Sequence, residues 1–164
     1  MEIIRLLTIL LIVVSGCVNE NTQPEAFFCP EDQCEERIVG IIQNADNSID
    51  VAMYSFTSPN IAEVLIEAQE RGIQPRVVLD YLQSTSKYSQ KSLLEEQIPV
   101  RVMKPGKTMH NKFILVDNEL VVTGSYNFTK NGNEKNHENF VVIFDKGIAA
   151  LYREEFFELW VEAG

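Results

Sequence analysis

Apolar residues recur along the chain in two alternating rhythms. From Glu35 to Asn44 (EERIVGIIQN) they fall at the spacing of one helical face. From Ser48 to Phe56 (SIDVAMYSF) they alternate instead, placing Ile49, Val51 and Met53 on one side of a strand. The helical rhythm returns behind Asn60, a capping residue type, as a stripe of Ile61, Val64, Leu65 and Ala68 that stops at Gly72. Pro75 to Asp80 (PRVVLD) is a short buried strand, Ser86 to Gln97 an amphipathic helix, and Val100 to Met103 a further strand. Lys112 to Asp117 and Leu120 to Thr123 follow as two strands joined across Asn118 and Glu119 in a hairpin-like pair. Phe140 to Phe144 (FVVIF) is another strand, and an aromatic-rich helix runs from Ile148 to Val161. Strands with continuous apolar runs, interleaved with helices, predict an α/β fold: a mixed, largely parallel sheet covered by helices on both faces.

The N-terminal apolar stretch has a different character. Leu6 to Val14, interrupted only by Thr8, is too short to cross a bilayer as a helix and has the length of a signal-peptide core. It ends in Val14-Ser15-Gly16-Cys17, which resembles the lipobox of bacterial lipoproteins, where the cysteine is acylated. The expected plan is a signal peptide over 1–16, a polar tether over 17–25 and one folded domain over 26–164. The protein is then exported, as a membrane-anchored lipoprotein or as a free periplasmic or extracellular protein. In an oxidising compartment the natural reading of Cys29 and Cys34 is a short-loop disulfide at the start of the first helix. Unpaired thiols and a zinc site are the rival readings, although the spacing to His110 and His137 fits no compact finger, and no metal site is expected.

Composition adds one constraint. The 164 residues carry a formal net charge of −10, which excludes a surface built to collect nucleic acid by bulk attraction. The charge is uneven, however. Between Val100 and Asn136 six basic residues face three acidic ones, a net +3 that leaves −13 for the rest of the chain. A locally basic segment in an acidic protein fits an anionic substrate met at one place.

That segment also holds the candidate chemistry. In His110-Asn111-Lys112 the histidine and lysine sit two residues apart ahead of an apolar strand, so both point the same way. Gly124-Ser125-Tyr126-Asn127 stands just past the next strand, where Ser125 and Asn127 share a side if the chain stays extended. An imidazole, an ammonium, a hydroxyl and a carboxamide at one sheet edge offer a nucleophile and several donors for phosphate oxygens. Asp117, seven positions from His110, faces away by strand parity and is expected to brace a loop.

At these residues the chain resembles the phospholipase D superfamily, whose signature is H-x-K-x4-D followed by G-S-x-N. His110, Lys112 and Asp117 match the first part; Gly124, Ser125 and Asn127 match the second. The stretch SIDVAMYSFTSPNIAEVLIEAQERGIQPRVVLD also looks like the N-terminal half of the small bacterial nucleases of that superfamily. The resemblance implies a metal-independent phosphodiesterase needing no cofactor, an endonuclease acting on DNA or RNA through a phosphohistidine. His110 would be the nucleophile, with Lys112 and Asn127 holding the non-bridging oxygens and Ser125 a weaker candidate for the same task. Glu138, in Asn136-His137-Glu138-Asn139, would hydrogen-bond the catalytic histidine. Small members with a single motif pair two identical chains, so a homodimer is implied, with the second His110 protonating the leaving oxygen. His137 is a rival second imidazole within one chain, though no lysine follows it at the motif spacing. Tyr54 and Phe56, at the end of a strand, are expected to be core. Two other readings stand beside the nuclease: a phospholipase D or phosphatidyl transferase, and a non-catalytic surface lipoprotein that binds phosphorylated ligands.

Overall fold

The structure, a computed structural model, describes residues 23–164. The signal-peptide and lipidation expectations, Cys17 included, fall outside the described residues. Seven strands form one sheet in the order β1-β7-β6-β5-β2-β3-β4. They are β1 (Glu25–Cys29), β2 (Ser48–Met53), β3 (Gln74–Leu79), β4 (Val100–Val102), β5 (Lys112–Val116), β6 (Leu120–Gly124) and β7 (Glu138–Phe144). Helices α1 (Cys34–Gln43), α2 (Pro59–Glu70), α3 (Tyr81–Ser84), α4 (Lys91–Glu95), α5 (Lys130–Glu134) and α6 (Lys146–Ala163) connect and cover them.

Strand parity decides which helix covers which face. Ile49, Val51 and Met53 of β2 join Ile114 and Val116 of β5 and the apolar stripes of α1 and α2 in the main core. The intervening residues, Ala52 and Phe113, pack instead under Phe156 of α6. Leu115 and Val121 meet Ala149 from the same helix. Strands β2 and β5 are therefore covered on both sides, and the mixed α/β class with helices on both faces holds.

The expectation that the sheet is largely parallel does not hold. Only β2-β3 and β3-β4 run parallel; β1-β7, β7-β6, β6-β5 and β5-β2 are all antiparallel. Parallel pairing needs a crossover long enough to return the chain, which the α2 and the α3–α4 connections provide. The tightest link in the sheet joins β5 and β6. There Asp117 and Asn118 both take positive φ (53° and 57°) and the Glu119 amide donates to the Val116 carbonyl, a two-residue primed turn centred one position earlier than the pattern suggested.

Other boundaries shift for identifiable reasons. Strand β1 takes in Glu25, assigned above to the tether, because it pairs along the edge of β7 from Glu25 opposite Val142 to Cys29 opposite Glu138. Helix α2 is capped by Ser58, whose hydroxyl accepts from the Ile61 amide, with Pro59 at the first helical position. Asn60 donates instead to Glu35 Oε1 at 2.5 Å. Cys29 and Cys34 are joined in a disulfide with a Cα separation of 5.7 Å, tying the end of β1 to the first residue of α1.

Candidate active site

His110 sits just ahead of β5, and its backbone is gripped on both sides. The preceding Met109 amide donates to Asp80 Oδ2 at 3.1 Å, and the following Asn111 carbonyl accepts from the Tyr54 amide at 2.9 Å. Asp80 is only 2 % exposed and also caps α3 through the Gln83 amide, so one buried carboxylate fixes the histidine loop and a helix start together. The imidazole is exposed, with the Tyr54 ring against it at a centroid distance of 4.4 Å. Tyr54 is in turn oriented by Gln83, whose Nε2 donates to the phenolic oxygen at 3.1 Å.

Lys112, two residues on, is on the same side as strand parity requires. Its Nζ donates to the His110 carbonyl at 2.8 Å, lies 3.2 Å from His110 Nδ1, and stands 5.0 Å from the Tyr54 ring centroid. Burial holds its pKa below the ordinary lysine value, and the Glu138 carboxylate opposes that shift. Glu138 therefore lies within electrostatic reach of the His–Lys pair.

The second half of the site comes from the end of β6 and the start of β7. Gly124 pairs with Phe140, and a Cβ there would collide with the Asn139 carbonyl and the Phe140 Cα. Only glycine lets the strands approach so closely where the chain turns out to present Ser125. Asn127 Oδ1 accepts from the Ser55 amide at 3.2 Å, which leaves its amide nitrogen available as a donor. Thus Tyr54 and Ser55, at the exit of β2, touch both halves: the ring meets His110 and the next amide anchors Asn127.

Three expectations change here. Within the chain, Glu138 does not meet His110; Oε2 accepts from Ser125 Oγ at 2.5 Å and Oε1 from Asn136 Nδ2 at 3.1 Å. Ser125 is correspondingly not a free phosphate donor, since its proton is committed to Glu138 while its oxygen accepts from the Asn139 amide. The hydroxyl and carboxylate hold each other because β6 and β7 are paired neighbours, a contact invisible to spacing along the chain. Tyr54 likewise is half-buried against His110 rather than core, whereas Phe56, 2 % exposed, is core as expected.

Asp117 behaves as parity predicts. At the far end of β5 it accepts from the amides of Asp46, Asn47 and Ser48 at 2.7–2.9 Å and so braces the loop entering β2. His137 is exposed immediately ahead of β7. Among the described residues no group of three or more His, Cys, Asp or Glu side chains is arranged to hold a metal ion, and no helix is long and apolar enough to cross a membrane.

Residues 38–160 match the family model described as "Cardiolipin synthase, PLD-like domain". Among curated relatives, a phospholipase D of Rickettsia prowazekii is 34% identical over 131 residues, covering 79% of this chain and 64% of that protein. A mitochondrial cardiolipin hydrolase of Xenopus tropicalis is 30% identical over 138 residues, covering 82% of this chain and 66% of that protein. The chain thus spans about two thirds of the length of these relatives. Among solved structures, Nuc of Salmonella typhimurium, a phospholipase D family member, superposes with a TM-score of 0.82 at 32% identity, covering 87% of this chain and 96% of that one.

Proposed function

The chain belongs to the phospholipase D superfamily, and from that premise we propose that it is a phosphodiesterase whose substrate is nucleic acid. His110 attacks the phosphorus: the N–P bond forms as the P–O bond to the leaving group breaks, and a second imidazole gives that oxygen its proton. Water then attacks the phosphohistidine, surrendering a proton to the second imidazole, and the N–P bond breaks. Lys112 and the Asn127 amide bind the non-bridging oxygens as charge builds on them. One chain carries one His-Lys-Asn set, so the second imidazole is His110 of an identical partner in a homodimer.

The observation that carries the nucleic-acid reading is a groove of about 920 Å³, lined mainly by polar residue types, that runs from Tyr54 and Asn127 across Lys87 and Lys130 with no carboxylate of the described residues in its lining. A polyanion meets that groove without the repulsion it meets elsewhere on an acidic protein. The second reading, a phospholipase, is favoured by the names of the curated relatives and by the exposure of Leu82 and Tyr88, 67% and 66%, on the α3–α4 segment. Incubating the protein in excess EDTA with plasmid, RNA, cardiolipin and a chromogenic diester, alongside His110→Asn, separates the two. The nuclease reading expects cutting of nucleic acid that His110→Asn abolishes; turnover of cardiolipin alone would replace it with the phospholipase.

A further inference from the structure

Beside the catalytic residues, the groove has a second wall with its own chemistry. This wall is the segment Ser86-Lys87-Tyr88-Ser89-Gln90 between α3 and α4. It is pinned rather than loose. The Gln90 amide donates to the Phe56 carbonyl at 3.0 Å and its side chain donates to the Thr57 carbonyl at 3.1 Å, tying the segment to the exit of β2. The Ser89 amide donates to the Ser86 carbonyl at 2.9 Å, closing a turn around Tyr88. An aromatic ring held on such a turn, yet 66% exposed, has given up solvent shielding that the core could have supplied.

Charge around the ring points the same way. Lys87 Nζ stands 4.8 Å from the Tyr88 ring centroid, and Lys130 lines the opposite wall, where it also pairs loosely with Glu134 at 3.8 Å. The chain has 24 acidic residues, yet none of those among the described residues lines this groove. Flanking cations for phosphates, an exposed ring for a base face and carboxamides from Gln90 and Asn131 form a set suited to a single strand. A duplex would not use it, because its base faces are already stacked on one another.

We propose that Tyr88 is a base-stacking platform, with Lys87 and Lys130 as phosphate contacts, that binds a single-stranded polynucleotide and feeds it to His110. The proposal rests on the nuclease reading and narrows it to strands with unpaired bases. Tyr88 touches substrate away from the reacting phosphorus, so its contribution is to binding and selection.

The test is binding, measured by fluorescence anisotropy on the His110→Asn protein so that nothing is cleaved. The probes are a labelled single-stranded 12-mer, its duplex and vesicles containing cardiolipin. Tyr88→Ala should weaken binding of the single strand about tenfold, in line with the loss of one stacked base. Tyr88→Phe, which keeps the ring, should restore it, and the duplex should be little affected. Lys146→Ala, which removes a like charge beyond β7 at the far end of the sheet, should leave strand binding unchanged. Strand binding indifferent to Tyr88→Ala, or equal losses for strand and duplex, would overturn the platform and leave the nuclease reading standing. Binding to vesicles alone, with cardiolipin turnover by the unsubstituted enzyme, would remove the nuclease reading and the platform together.

Discussion

At the scale of single residues, Asp117 shows how far alternation along a strand can reach. It belongs to the same motif as His110, yet an odd separation turns it to the other side, where its carboxylate gathers three successive amides from Asp46 to Ser48. Asp117→Ala should leave those donors without a partner at a cost of about 1–3 kcal/mol, read by chemical denaturation, while kcat is unchanged at temperatures where the fold is intact. Loss of activity without loss of stability would place Asp117 at the chemistry instead. The alignment of His110 with Lys112 was legible for the same reason, being a local consequence of strand geometry. The partners that orient them were not. Asp80 and Tyr54 reach the histidine loop across 29 and 56 positions of sequence, Gln83 acts through Tyr54, and the Ser125–Glu138 hydrogen bond depends on β6 lying beside β7. No periodicity encodes such pairings.

At the scale of elements, the long periodic segments declared themselves and the short ones did not. Helices α1, α2 and α6 and strands β2 to β7 carry patterns several residues long. Strand β1 has five residues, Glu25 to Cys29, and its identity comes from the edge of β7 rather than from its own sequence. Helices α3 and α5, four and five residues long, exist because Asp80 and Thr129 cap them. Overestimating the parallel share of the sheet has a similar origin, since alternation reveals a strand but not its direction. Gly124 is where element packing tightens most. Gly124→Ala forces β6 away from β7, and the obstructing atoms are backbone, so nothing nearby can rotate aside. The expected cost is about 1–3 kcal/mol, or a melting temperature lower by roughly 2–10 °C, with the Ser125–Glu138 pair disturbed as well. An unchanged melting temperature would show that the strands can separate there freely.

At the scale of the whole molecule, the sheet gathers everything reactive at one end. His110 precedes β5, Gly124 closes β6 and Glu138 opens β7, while the Asp117 turn occupies the opposite end. An acidic protein thereby presents a partly basic groove beside the site that no carboxylate of the described residues lines. Each chain offers a single His-Lys-Asn set, so the proposed chemistry needs two copies to flank one phosphorus, His110 of one attacking and His110 of the other donating the proton. The intermediate is the most direct witness. Rapid acid-free quenching during turnover of a phosphorus-labelled diester, followed by peptide mapping, should find a base-stable, acid-labile label on His110 in the native enzyme and none in His110→Asn. Label on His137, or steady turnover with no labelled histidine at all, would contradict the mechanism.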